Sequence, residues 1–180
     1  MNIRRVVTGH DADAKAVFVS DEMVAPITVS LVPGNEFHRL WGADDRPTFP
    51  DDGTRPDAPR YFPPLEGFRF GFFTIPPDGG AGAPPDLDIV AALAEFEERL
   101  PGLAEYLEPT HPGMHTTATI DYGVVISGEP TLELDDRQKL TLHPGDAYVQ
   151  NGTRHRWSNE GDVPAVIAIA LIGAHHAKVS

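Results

Sequence analysis

The chain has 180 residues, 41% of them hydrophobic, which is enough for one ordinary domain with a real core. Fourteen Lys and Arg stand against 27 Asp and Glu, a formal net charge of −13 that repels phosphate backbones and anionic lipid and sets nucleic-acid and membrane partners aside. With no cysteine there is no disulfide, thiolate ligand or cysteine nucleophile. Residues 1–13 carry no apolar run of signal-peptide length and no stretch approaches the ~20 apolar residues of a membrane span, so a cytoplasmic location is expected.

Seventeen glycines and 18 prolines are spread along the chain as punctuation, which suits many short strands joined by turns. Arg4 to Ser20 reads as one or two strands around Val6-Val7 and Ala16-Val17-Phe18-Val19. Ile27 to Leu31 alternates and ends at the Pro33-Gly34 turn, and Phe37 to Trp41 reads as another strand. Residues 42–66 are rich in Pro, Asp and Gly and predict a long irregular loop of the functional or mobile kind. Phe68 to Ile75 is aromatic and strand-like, and residues 76–86 form a linker.

A helix follows. Ile89, Leu93, Phe96 and Leu100 fall on one helical face, Asp86 or Asp88 can cap its start, and Pro101-Gly102 stops it. A short turn is expected over Leu103 to Leu107. From Met114 the pattern is β again. Thr131–Asp135 and Lys139–His143 form a hairpin, and Tyr148–Gln150, Arg156-Trp157 and Pro164–Ile172 complete the strands, the last apolar enough to be buried on both faces. The expected fold class is all-β with one inserted helix, its strands closed into a barrel that leaves no exposed edges.

Two competing chemistries fail on sequence. The run Gly79-Gly80-Ala81-Gly82 lacks the Lys-Ser/Thr and the strand–loop–helix frame of a phosphate loop. No Gly-x-Ser-x-Gly elbow exists to seat a serine nucleophile.

The stretch His115-Thr116-Thr117-Ala118-Thr119-Ile120-Asp121-Tyr122 is the most informative. On a straight strand rising ~3.3 Å per residue, His115 and Asp121 stand too far apart to share an ion. They meet only if residues 117–120 turn the chain back. This stretch resembles the first motif of the cupin superfamily: His115, then Thr117 where a second histidine is usual, Asp121 where glutamate is usual, and Gly128 at the motif glycine. The second motif follows as Pro144-Gly145-Asp146, the turn at Gly152, His155 and Asn159, with Gln150 in the usual proline position and the intervening strand one residue short. A subgroup of bacterial and fungal cupins with a His-x-Thr-x-Thr-x-Asp-Tyr stretch is similar.

The resemblance implies a cupin-type jelly-roll β-barrel over residues 1–180 as a single domain: N-terminal strands and loop at 1–75, a helical insertion at 84–107 and the cupin motifs at 113–173. It implies a divalent metal ion (Fe, Zn, Mn or Ni) held by His115, Asp121 and His155, and a homodimer. The His-x-Asp spacing of 2-oxoglutarate oxygenases is absent, since Thr occupies position 117. Asp121 is open between ligating, orienting a histidine and making a turn. Thr117, Thr119 and Trp157 are candidates for lining a substrate pocket, Trp157 because it shares the parity of His155. His111 and His143 read as loop residues and His175-His176 as a solvated tail. The function expected is a metal-dependent enzyme acting on a small aromatic or carbonyl-containing substrate, by lyase, isomerase or dioxygenase chemistry; the alternative is a non-catalytic small-molecule-binding cupin without metal.

Overall fold

The computed structural model describes residues 2–79, 82 and 84–179; part of the expected 76–86 linker and of the glycine run within it falls outside these. In chain order the strands are β1 (Ile3–His10), β2 (Ala16–Val24), β3 (Glu36–Ala43), β4 (Phe68–Ile75), β5 (Thr119–Ser127), β6 (Thr131–Glu133), β7 (Lys139–Thr141), β8 (Ala147–Asn151), β9 (Arg156–Ser158) and β10 (Ala165–Gly173), with helix α1 (Ile89–Arg99) ahead of β5. A 3-10 turn at Ala104–Tyr106 occupies the expected 103–107 segment. Among the described residues, no helix is long and apolar enough to cross a membrane.

Strands β1 and β2 form a hairpin of their own, its connection pinned by Asp11 Oδ1, which accepts from the amides of Asp13 and Lys15. The main sheet has the order β3-β4-β10-β5-β8 and the smaller one β7-β6-β9, every pairing antiparallel. The apolar run of 164–172 is explained by this order: β10 is the central strand, and Ala165 and Ile167 are 0% and 1% exposed. Trp157 of the small sheet packs on Ile75, Ala165 and Ile167 of the large one, so the two sheets face each other as the two walls of a jelly roll.

Helix α1 starts where Asp88 accepts from the amides of Val90 and Ala91 and ends ahead of Pro101. It packs on the barrel, where Phe96 and Leu100 join Val29, Phe37, Phe62, Leu103 and Leu171 in one core cluster. Each large side chain buried there contributes about 1.5–3 kcal/mol of transfer free energy. The buried face matches the expected one at Phe96 and Leu100 only. Ala92, Phe96 and Leu100 point inward, whereas Ile89 and Leu93 are exposed, because the helix rests on the barrel along a narrow stripe rather than being enclosed by it.

Ile27 to Leu31 is not a strand. Only Ile27 bridges to Phe37; beyond it the backbone amide of Ser30 is captured by Glu95 of α1 at 3.0 Å, which draws the chain off the sheet before the Pro33-Gly34 turn. Residues 44–67 form the expected irregular loop, fastened by side chains: Arg39 donates to the carbonyls of Ala58 and Arg60, and Arg69 to those of Arg60 and Ala43. Gly128, at the motif glycine, has φ +71°, and a Cβ there would stand 2.5 Å from Ala165 Cα.

Candidate functional site

No tight turn at 117–120 brings the two halves of the first motif together. His115 lies outside the sheet on an isolated bridge, the chain bends at Ala118, and β5 begins at Thr119. The convergence comes from reciprocal backbone pairing: the amide of His115 donates to the carbonyl of His155 and the amide of His155 to the carbonyl of His115, both at 2.9 Å. Residues paired in this way project their side chains to the same side, and the two imidazole centroids are 4.1 Å apart. Arg154 locks this junction by gripping both carboxylate oxygens of Glu108 at 2.6 Å while also pairing with Asp135.

The ring tautomers follow from their partners. His115 Nδ1 is 3.0 Å from the Gly113 carbonyl and His155 Nδ1 is 2.9 Å from the Thr153 carbonyl. A carbonyl only accepts, so both Nδ1 atoms carry the proton and both Nε2 atoms present lone pairs. Gln150 Nε2 lies 2.6 Å from His155 Nδ1 and 2.7 Å from Nε2, and with the proton on Nδ1 it donates to Nε2 and engages that lone pair. Burial keeps both rings neutral. It lowers the pKa of His115, and it pushes His155 down to about 3, with proximity of His115 adding to the effect.

The rings line a cavity of about 280 Å³ inside the barrel, walled by Phe37, Phe62, Phe73, Tyr148, Trp157 and Ile167 and closed on one side by Phe96 of the helix. Asp121 lines the same cavity and is 4% exposed. Burial pushes its carboxyl up to about 6, against a smaller opposing contribution from a Thr119 hydrogen bond. Asp121 stands opposite Gln150 in the β5–β8 register. Asp121 Oδ1, Gln150 Oε1 and the Tyr148 hydroxyl are buried without a hydrogen-bond partner. Leaving one such group unsatisfied costs about 1–3 kcal/mol, and two of the three, on Asp121 and Tyr148, line the chamber, which is what a site kept for a ligand rather than for stability shows.

Of the residues expected here, His115, Asp121, His155 and Trp157 line the chamber together. Thr117 and Thr119 do not line it; they are buried in the wall, their hydroxyls 2.8 Å apart and bonded to each other. His111 and His143 are exposed and paired with Glu108 and Glu129. His176 is not a free tail residue: its Nε2–H donates to the Gly152 carbonyl at 3.2 Å. Sequence reasoning missed Tyr148, Phe62 and Tyr61, and read Gln150 only as a departure from the proline of the motif.

For a divalent ion the chemistry of the donors is suitable: two neutral imidazoles with Nδ1 tied down and the lone pair on Nε2, that of His155 held by Gln150, plus an unpartnered oxygen on Asp121 in the chamber. Among the described residues, however, no three His, Asp or Glu side chains stand close enough together to form a finished metal cage. The fit is that of a two-imidazole anchor with one carboxylate donor, Asp121, in the same cavity.

Tyr148 reaches the chamber across Gly123, its register partner on β5, and an added Cβ at Gly123 would stand 2.2 Å from the Tyr148 ring. Gly123→Ala is therefore expected to cost about 1–3 kcal/mol and to displace the ring. Urea unfolding reads the first effect and near-ultraviolet circular dichroism the second. An unchanged spectrum would show that the ring does not lie over this glycine.

Comparison with known proteins agrees with this architecture. A model of the cupin domain matches residues 104–172, the span from the 3-10 turn to the end of the central strand. Oryzines biosynthesis cluster protein J of Aspergillus oryzae is 33% identical over 62% of this chain and 71% of its own length. The cupin-domain-containing oxidoreductase fogC of Aspergillus ruber is 30% identical over 43% of this chain, which spans only 40% of that protein's length. A crystal structure of a predicted oxalate decarboxylase from Thermotoga maritima aligns with 83% of the chain at 13% identity and a TM-score of 0.44. With the two motifs converging in an antiparallel barrel, the domain model spanning both and a relative matched over most of its length, the chain belongs to the cupin superfamily.

Proposed function

We propose that the chain is a metal-dependent cupin enzyme that acts on a small aromatic or carbonyl-containing organic substrate in the chamber beside His115 and His155. The observation that carries this reading is the pair of neutral imidazoles side by side, each fixed through Nδ1 by a backbone carbonyl so that Nε2 carries the lone pair. His115 would hold a divalent ion through Nε2, and His155 would do so once the Gln150 amide gives up its bond to that nitrogen, with Asp121 supplying oxygen. Such an ion, when bound, supplies Lewis-acid polarisation of a substrate oxygen, and iron adds redox chemistry. The oxidoreductase name of the Aspergillus ruber relative supports an enzyme.

The chain's own contribution is confinement. Phe37, Phe62, Phe73 and Trp157 present aromatic faces and edges to a flat apolar substrate, and Phe96 of α1 shields it from water. The unpartnered Tyr148 hydroxyl can donate to a substrate carbonyl, which fixes its orientation.

A second reading, a metal-free small-molecule-binding cupin, is favoured by one observation. Thr117 stands where the motif has its second histidine, and its hydroxyl is spent on Thr119. Metal analysis of untagged protein, prepared both aerobically and anaerobically, separates the two. Near one equivalent of metal per chain is expected, lost in His115→Ala and His155→Ala with the fold retained by circular dichroism. Absence of metal from both preparations, together with no uptake of added Fe(II) or Zn(II), would favour the binder.

A further inference from the structure

A second cavity, of about 400 Å³, lies between β3 and the 44–67 loop and shares no lining residue with the imidazole chamber. Arg39, Arg55 and Arg69 line it, with Trp41 as an aromatic wall. Arg39 and Arg69 donate to the same carbonyl oxygen, that of Arg60, at 2.9 and 3.0 Å, and Arg55 donates to the carbonyl of Arg39 at 3.0 Å. Three arginine side chains thereby line one recess.

Loop anchoring accounts for some of these bonds but not for the charge. The chain has 27 carboxylate side chains for 14 Lys and Arg, so acidic partners are plentiful. Arg69 has one, Asp44 at 2.5 Å, and Arg5 and Arg60 pair with Glu22 and Glu105. Arg39 and Arg55 bond only to backbone carbonyls among the described residues. The one carboxylate lining the recess, Asp57, is exposed and pairs with neither. Burial depresses the pKa of Arg39, repulsion from Arg69 and Arg55 adding to it, and burial with repulsion from Arg5 depresses that of Arg55. Asp44 and Glu22 offset part of this repulsion, and the like charge that remains is an energetic cost that a bound anion removes. Guanidinium forks match the oxygens of carboxylates and phosphates, and an indole face accepts a flat apolar group.

We infer that the Arg39–Arg55–Arg69 recess is a binding site for the oxyanion group, carboxylate or phosphate, of a small molecule whose flat part lies against Trp41. It is separate from the imidazole chamber and holds whether or not that chamber binds metal. Nothing in the sequence signalled it, because Arg39 comes from a strand and Arg55 from the irregular loop.

The test is titration calorimetry of the intact chain with sodium benzoate and, separately, with inorganic phosphate, at low salt. Saturable binding of at least one is expected; benzoate alone identifies an aromatic carboxylate and phosphate alone a phosphate ester. Arg55→Gln and Arg39→Gln are each expected to weaken it about tenfold or more, as loss of a charge-assisted hydrogen bond would. His155→Ala is expected to leave it unchanged. Arg55 is exposed, so its variant keeps the test informative if Arg39→Gln loosens the loop. Binding of neither probe, binding unaltered by Arg55→Gln, or binding abolished only by His155→Ala would each overturn the assignment.

Discussion

Replacement of Asn159 by alanine is expected to destabilise the fold by about 3 kcal/mol, more than any surface substitution. Asn159 is 0% exposed and uses its whole amide. Its Nδ2 donates to the carbonyls of Ile75 and Val163 at 3.0 and 2.8 Å, and its Oδ1 accepts from the amide of Gly161 at 3.0 Å. These bonds join the end of β4 to the connection between β9 and β10, and so tie the large sheet to the small one just beyond His155. Alanine would strand the buried carbonyl of Ile75 and leave a small cavity as well. Urea unfolding should show a lower midpoint at unchanged slope. Asn159→Asp should be worse, since it removes both donors and buries a charge. A loss under about 0.5 kcal/mol would mean that water or backbone rearrangement replaces these bonds.

That the motif asparagine performs this function could be anticipated from sequence only as a family resemblance. The physical reason, a carbonyl from the end of β4 joined to a carbonyl and an amide of the β9–β10 connection, is tertiary. The same division runs through the molecule. Periodicity located β4 and α1 to within a residue, because each is bounded by Pro, Gly or a capping Asp and alternates locally. It failed at Ile27–Leu31, where the alternation is real but Glu95, 65 positions away, takes the Ser30 amide. It misjudged the inner face of α1, because Ala92 is a weak hydrophobic signal beside Leu93 and Ile89, yet a helix resting closely on a barrel favours the small side chain.

The site divided likewise. His115 and His155 were legible because two motifs at fixed spacings carry them, and Trp157 by strand parity. Thr117 and Thr119 were taken for pocket residues on the same parity, but they stand where the chain bends into β5 and satisfy each other. Tyr61 and Phe62, from a loop without periodicity, gave no sequence signal, although both end in the core or the chamber wall. Gln150 was visible as a departure from the motif, but its bond to His155 depends on a strand pairing that no local pattern specifies.

Asp121→Asn is expected to make chelator-treated protein more stable at pH 8, by up to about 3 kcal/mol, and no more stable near pH 4. The sign follows from burial. The Asp121 carboxyl has a folded-state pKa of about 6 against 3.8 unperturbed, so the folded chain holds this proton more tightly than the unfolded chain. Its contribution therefore falls as pH rises from about 4 to about 6 and remains unfavourable above that. Asparagine carries no such charge at any pH. His155 acts in the opposite direction, its pKa lowered from 6.5 to about 3, so its contribution is lost as pH drops below 6.5. That change is common to both proteins and cancels in their difference. Equal stability at pH 8 would mean that the buried carboxylate already has a compensating partner. If the variant is instead more stable but loses its bound metal, Asp121 is shown to be retained at an energetic cost because an anionic oxygen in this chamber serves the ligand, not the fold.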